Sequence, residues 1–289
     1  MKLSTTTQDF TRYGISISQA LDYLAQTPFR HADFGFERET TDDSFEQNAA
    51  LFAAKAEAYG IRFMQAHGIS LDPFKRDRDA ELLVAERTLA VCAKLGIPHV
   101  VFHALFCGEE QYPAGKEQFF EQNKAFYSLL LPMAEHYGVT LLAENSVELH
   151  SKGRYYFMTG KDLAEFVDFV DHPFMGAVWD VGHANIRKND QYQDILTLGD
   201  RLKAVHIHDN LGHGDAHLAP FLGNADFDAV IRALRDVDFK GVFSFEADNC
   251  PPLRRDTPIR PTPELQIVYD TALFATGKQM LECYGLFEE

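Results

Sequence analysis

Eight times along this chain a short apolar run of strand character gives way to a longer stretch of helical character, and no other feature constrains the fold as tightly. The strand-like runs fall near Lys2–Thr7 and at His31–Phe36, Arg62–Ala66, His99–Phe102, Val139–Ala143, Gly176–Trp179, Leu202–Val205 and Gly241–Phe245. Helices are expected over roughly Ser18–Gln26, from Ser44 and Phe45 to Tyr59, and over Asp79–Leu95, Glu117–Tyr137, Lys161–Val170, Gln191–Gly199, Phe227–Val237 and Pro263–Tyr284. Gly60, Gly96 and Gly138 stand where three of these helices should stop, because glycine readily takes the left-handed conformation that ends a helix. Eight strands, each followed by a helix, predict an α/β fold in the form of a single (β/α)8 (TIM) barrel spanning residues 1–289. An open, doubly wound sheet is the competing arrangement. It would normally carry a Gly-rich phosphate loop after its first strand, and none follows Thr7.

Composition narrows the partners. The chain holds 27 Lys and Arg against 43 Asp and Glu, a net charge of −16. Such a surface repels polyphosphate, so nucleic acid is a disfavoured partner, whereas an acidic pocket would draw metal ions. The four cysteines (Cys92, Cys107, Cys250 and Cys283) are scattered without a C-x-x-C pair. A reduced, intracellular setting is the expectation. The N-terminus lacks an apolar core of signal-peptide length, and no apolar run is long enough to cross a membrane. The reading is therefore a cytoplasmic protein without a membrane segment.

In a (β/α)8 barrel the active site lies at the C-terminal ends of the strands. The polar residues at those ends, in order, are His67, His103, Glu144, Asp180, His206 and Glu246. His183, Asp215 and His217 are expected in the loops just beyond, His183 where the chain turns after Asp180. Carboxylates and imidazoles converging on one mouth suit a divalent ion such as Mn²⁺, Co²⁺, Mg²⁺ or Zn²⁺. The absence of cysteine from the set argues against a structural zinc cluster. Glu144 and Glu246 are the hardest to read as bystanders, since an unpaired carboxylate directly after a buried strand is costly. His99 and His172 stand beside prolines and read as loop residues, and Cys107 and Cys250 have no further support as catalytic thiols. Arg254, Arg255 and Arg260, in a Pro- and Arg-rich loop after the eighth strand, are candidates for a phosphate or carboxylate clamp, with a solvated loop as the alternative. Phe34, Phe36, Phe102, Phe106 and Trp179 are candidates for an apolar wall against a sugar ring, with ordinary barrel packing as the alternative.

Three stretches carry a family resemblance: Leu141-Leu-Ala-Glu-Asn145, Val178-Trp-Asp-Val-Gly-His183, and Val205-His-Ile-His-Asp-Asn-Leu-Gly-His-Gly-Asp-Ala-His217. With them the chain resembles, over essentially its whole length, the xylose-isomerase-like barrel superfamily of sugar and sugar-phosphate isomerases and epimerases, which also includes the endonuclease IV family. In its keto-sugar 3-epimerases one metal is held by Glu, Asp, His and Glu, positions matching Glu144, Asp180, His206 and Glu246. The two glutamates there also move the proton, and the position of His183 contacts substrate. The endonucleases bind three zinc ions through nine ligands, and residues of matching type stand at His67, His103, Glu144, Asp180, His183, His206, Asp215, His217 and Glu246. His208-Asp-Asn210 has the form common among the isomerase-like members, and the charge of −16 also favours the sugar enzyme. One departure is Pro220-Phe-Leu-Gly223, which stands where a Pro-Gly-x-Gly turn is usual.

The resemblance implies a divalent-metal-dependent isomerase or epimerase of a sugar or sugar phosphate, with Glu144 and Glu246 on opposite sides of the substrate carbon and His183 on the developing oxyanion. One metal ion is implied by the epimerases, and more than one zinc by the endonucleases. Homo-oligomers are common in the superfamily. The alternatives are an endonuclease IV-like phosphodiesterase, a metal-dependent dehydratase of a polyol or keto acid, and a non-catalytic barrel.

Overall fold

The computed structural model describes residues 1–105, 115–147, 155–253 and 259–289. Eight parallel strands, β1 (Leu3–Thr6), β2 (His31–Gly35), β3 (Arg62–His67), β4 (His99–Val101), β5 (Thr140–Glu144), β6 (Met175–Asp180), β7 (Leu202–Ile207) and β8 (Phe243–Phe245), close in sequence order into one barrel. The seam is the pairing of β8 with β1 through Leu3↔Phe243 and Ser4↔Ser244. Closure removes both sheet edges and excludes the open-sheet alternative.

The helices are α1 (Gln8–Thr11), α2 (Ile17–Leu24), α3 (Phe45–Tyr59), α4 (Arg78–Leu95), α5 (Lys116–Tyr137), α6 (Gly160–Val170), α7 (Val181–Arg187), α8 (Gln191–Leu198), α9 (Phe227–Asp236) and α10 (Pro263–Glu282). The expected stops hold: α3, α4 and α5 end at Gly60, Gly96 and Gly138, with φ of 65°, 68° and 69°. Two short helices depart from the expectation. α1 follows β1 directly. α7 replaces the expected turn after Asp180, so His183 lies in the first turn of a helix and not in a loop. The cause is local: the Asp180 carboxylate accepts from the His183 backbone N–H at 2.6 Å and so caps α7. Among the described residues no helix is long and apolar enough to cross a membrane.

Strand alternation explains where the core sits and why the site is where it is. One set of strand residues points out toward the helices and forms the main core, including Phe34 against Phe36, Phe52 and Phe63, and Phe245 against Phe29. Phe34, Phe36, Phe102 and Trp179 all belong to that core, which gives them ordinary packing roles and removes them as a sugar-facing wall. Phe106, Cys107, Arg254 and Arg255 lie outside the described residues. The other set points inward. Val101, Leu142, Val178 and Ala204 form a separate buried cluster across β4 to β7. Two residues further come Glu144, Asp180 and His206 on β5, β6 and β7, and His103 two residues past the end of β4. Gln65 precedes His67, and Ser244 precedes Glu246, with the same spacing. The period of two therefore stacks six chemistry-bearing side chains in one layer above an inner layer that is apolar on one side and polar on the other.

Candidate metal centre

The six strand-end residues meet. Ligand atoms of Glu144, Asp180, His206 and Glu246 lie within 4.8 Å of one another. His206 Nδ1 is the hub: Glu144 Oε1 is 2.7 Å away, Glu246 Oε2 3.3 Å and Asp180 Oδ2 4.0 Å. Each glutamate turns its second oxygen away from that hub. Glu144 Oε2 faces His103 Nδ1 at 3.4 Å, and Glu246 Oε1 faces His67 Nδ1 at 3.4 Å. The two imidazoles then approach each other, Nε2 to Nε2, at 2.7 Å. His67, His103 and Glu144 thus form a second close set, and His208, His217 and Glu246 a third. The remaining sequence candidates lie alongside. Asp215 Oδ2 is 3.3 Å from both His183 Nε2 and His217 Nε2.

The donor set fits a divalent ion. Three buried carboxylates share one small space, and among the described residues Glu144 Oε2 has no hydrogen-bond partner. Such crowding is tolerable only with compensating positive charge. In the metal-free protein the imidazoles supply it. Burial opposes charging His206, but the Glu246 and Glu144 carboxylates outweigh it and push the group well above its ordinary value. Burial likewise opposes charging His183, yet Asp180 and Asp215 lift it to about 10. His217, facing Asp215 and Asp248 against the same desolvation, is lifted to about 12. In return, and despite burial, His206 drags Glu144 down to about 2. A metal ion binding here competes with protons.

Several residues that frame the site are not singled out by the sequence. Asn145 staples β5 to β6: its Oδ1 accepts from Asp180 N at 2.6 Å and its Nδ2 donates to Asp180 O at 2.8 Å. Its own carbonyl faces His183 Nδ1 at 2.9 Å. Asp33, inside β2, accepts from Gln65 at 2.7 Å and lies 3.6 Å from the inner nitrogen of His206. A carboxylate behind a ligating imidazole commonly fixes its orientation. The signal for Asp33 is an acid in the middle of a strand that otherwise reads as buried. The signal for Asn145 and His208 is their place inside the quoted motifs.

The His208-Asp-Asn210 motif acquires a structural meaning. Asp209 Oδ1 accepts from the backbone N–H of Asn210 at 2.8 Å and of Ala225 at 3.0 Å, and Oδ2 from Gly223 at 2.8 Å. Asn210 donates to Gly182 O at 2.8 Å and accepts from Gly212 N at 2.8 Å. Together they close the loop that carries Asp215 and His217. At the Pro220-Phe-Leu-Gly223 departure, Phe221 takes φ of 73°, a left-handed conformation that glycine adopts more cheaply. Gly223 cannot be replaced without movement, because a Cβ there would lie 2.2 Å from Asn210 O. We expect Asp209→Ala, which orphans three backbone donors, to cost about 1–3 kcal/mol of stability in denaturant unfolding. A cost within error of zero would show that the loop is held by other contacts.

A family model described as a xylose isomerase-like TIM barrel matches residues 21–266. An L-ribulose 3-epimerase from Methylomonas sp. (strain DH-1) is 34% identical over 90 residues, which is 31% of this chain and 29% of that protein. The chain spans less than two thirds of the first curated relatives it matches, from 29% to 55% of their lengths. Among solved structures, a D-tagatose 3-epimerase-like protein superposes with a TM-score of 0.76 at 19% identity, covering 98% of each chain. The IolI protein with a zinc atom superposes with a TM-score of 0.75 at 17% identity, covering 100% of each chain. At these identities the superpositions establish the shared fold.

Proposed function

The chain belongs to the xylose isomerase-like TIM barrel family, and on that premise we propose that it is a divalent-metal-dependent epimerase of a keto sugar or its phosphate. The observation that carries the reading is the pair of glutamates flanking His206 Nδ1, each with one oxygen toward the hub and one turned away. Epimerisation beside a carbonyl needs a base on each face of one carbon. Glu144, Asp180, His206 and Glu246 would hold the ion. When bound, that ion supplies electrophilic pull on the ketose carbonyl and a neighbouring hydroxyl oxygen. One glutamate removes the proton from carbon, and the other returns it from the opposite face. Both carboxyls are ionised and so open to accept a proton, since the imidazoles around them hold each well below its ordinary range in spite of burial. The His183 ring is held at Nδ1 by the Asn145 carbonyl and faces Asp215 with Nε2 at 3.3 Å; in exchange for that contact, Nε2 would donate to a developing oxyanion.

The relatives' names choose the first substrates to try. Purified protein loaded with Mn²⁺ or Co²⁺ should interconvert C3 epimers of ketoses such as L-ribulose or D-tagatose, or their phosphates. In D₂O the product should carry deuterium at the epimerised carbon. Loss of water from a polyol or keto acid in place of epimer formation would favour the dehydratase reading, and no exchange with any ketose would sink the proposal.

A second reading rests on His67, His103 and Glu144, whose ligand atoms form their own set within 4.8 Å. It is a multinuclear zinc phosphodiesterase of the endonuclease IV type. Elemental analysis of protein purified without chelator separates the two. We expect one ion per chain for the epimerase; two or three zinc ions, with cleavage of abasic DNA, would replace it.

A further inference from the structure

We propose that His208, which lies outside the four-residue metal set, is the residue that fixes the metal-facing carboxylate of Asp180. The inference deepens the reading of Asp180 as a ligand and rests on it. His208 is fully buried, and its Nε2 lies 3.1 Å from both Asp180 Oδ1 and Oδ2. An ionised carboxylate can only accept, so Nε2 is the donor, shared between the two oxygens. Oδ1 has a second donor, the His183 backbone N–H at 2.6 Å. With Nε2 bridging both oxygens and Oδ1 also held by the His183 N–H, the carboxylate plane is set, and Oδ2 lies 4.0 Å from His206 Nδ1. Without His208 the carboxylate keeps contacts to Oδ1, the His183 N–H at 2.6 Å and the His183 ring Nδ1 at 3.5 Å, and loses the donor that holds Oδ2, so it can turn about its terminal torsion, which is intrinsically broad.

The surroundings are shaped to hold this ring. His208 stacks on His217 with centroids 4.1 Å apart and planes 4° from parallel. On its other side lies Gly182, where an added Cβ would sit 1.9 Å from His208 Cε1. Glycine between Asp180 and His183 is therefore a packing requirement of the imidazole. Among the described residues His208 Nδ1 has no hydrogen-bond partner, and on the other nitrogen the Asp180 oxygens at 3.1 Å are nearer than Asp215 Oδ1 at 3.8 Å, so the bond to Asp180 orients the ring. Outer partners of metal ligands typically contribute 10- to 100-fold in affinity.

The test is Co²⁺ affinity by competition with a chromogenic chelator, read together with the visible spectrum of the Co²⁺ protein. His208→Leu keeps the bulk and removes the donor. His208→Gln keeps an N–H at similar reach. Gly182→Ala leaves His208 in the chain but drives its ring away. We expect the His208→Leu and Gly182→Ala proteins, shown to be folded by thermal unfolding, to bind Co²⁺ about 10- to 100-fold more weakly with an altered spectrum. The His208→Gln protein should recover most of the loss, which a mere packing role would not allow. Equal affinity in wild type and His208→Leu would overturn the inference while leaving the metal reading intact, and so would a glutamine variant as weak as the leucine one. If the wild type itself bound no Co²⁺, the metal reading would fall and the inference with it.

Discussion

Glu246→Gln should lower turnover of the true ketose substrate by about 10²- to 10⁴-fold, and Glu144→Gln should do the same. Glutamine keeps the shape of the side chain and one oxygen that can face the hub. It loses the lone pair that takes a proton from carbon. The outer oxygens are the ones that matter here, because the inner ones face His206 Nδ1 at 2.7 and 3.3 Å. The two variants should also part company in a diagnostic way. In a two-base reaction, the variant lacking the base for one epimer can still remove the proton from the other. Solvent deuterium exchange into one epimer should therefore persist in one variant and vanish in its counterpart, although net epimerisation fails in both. Metal content must be measured alongside, since an emptied site would mimic a lost base. A Glu246→Gln protein with its ion in place and wild-type turnover would end the two-glutamate mechanism.

The layer of residues that makes this prediction possible is largely legible in the sequence. Strands of alternating environment have only two faces, so once the strand ends near His67, Glu144, Asp180 and Glu246 are placed, their side chains have to share one mouth. The helix stops at Gly60, Gly96 and Gly138 are equally readable, because the left-handed cap has a residue preference. What escapes is everything set by contacts between strands. Asp33 and His206 belong to β2 and β7, and nothing local to either says that they lie 3.6 Å apart. His208 sits beyond β7 yet bonds to the end of β6. The α7 helix reads as a turn in the sequence because its start depends on the Asp180 carboxylate serving as a cap, a role that competes with its reading as a ligand. The aromatic residues are ambiguous for the opposite reason: in a barrel, adjacent residues of one strand face core and mouth in turn. A register error of one exchanges Phe34, which is core, with Asp33, which is site.

The imidazoles that take the place of a cation in the metal-free protein make stability depend on pH in a definite direction. Burial works against charging His183 and His217, but neighbouring carboxylates lift them to about 10 and about 12, from an unfolded value near 6.5. A group whose folded value is raised stabilises fully below its unfolded value, and that contribution drains away as pH climbs toward the folded value. This part of the metal-free protein's stability is thus complete below about pH 6.5 and is lost progressively toward pH 10 for His183 and pH 12 for His217. A divalent ion held by Glu144, Asp180 and Glu246 would neutralise three of the carboxylates that act on these imidazoles without needing those protons, and its own binding strengthens as they leave. At 100 times its dissociation constant an ion adds about 2.7 kcal/mol, or on the order of 4–5 °C in Tm for a domain of this size. The difference in Tm between Mn²⁺-loaded and EDTA-treated protein should accordingly be positive at about pH 6.5 and larger at about pH 8.5. Calorimetry of both forms at the two pH values checks it. A gap that narrows with rising pH would mean that the carboxylates of Glu144, Asp180 and Glu246 are not competing for a proton and an ion at one site.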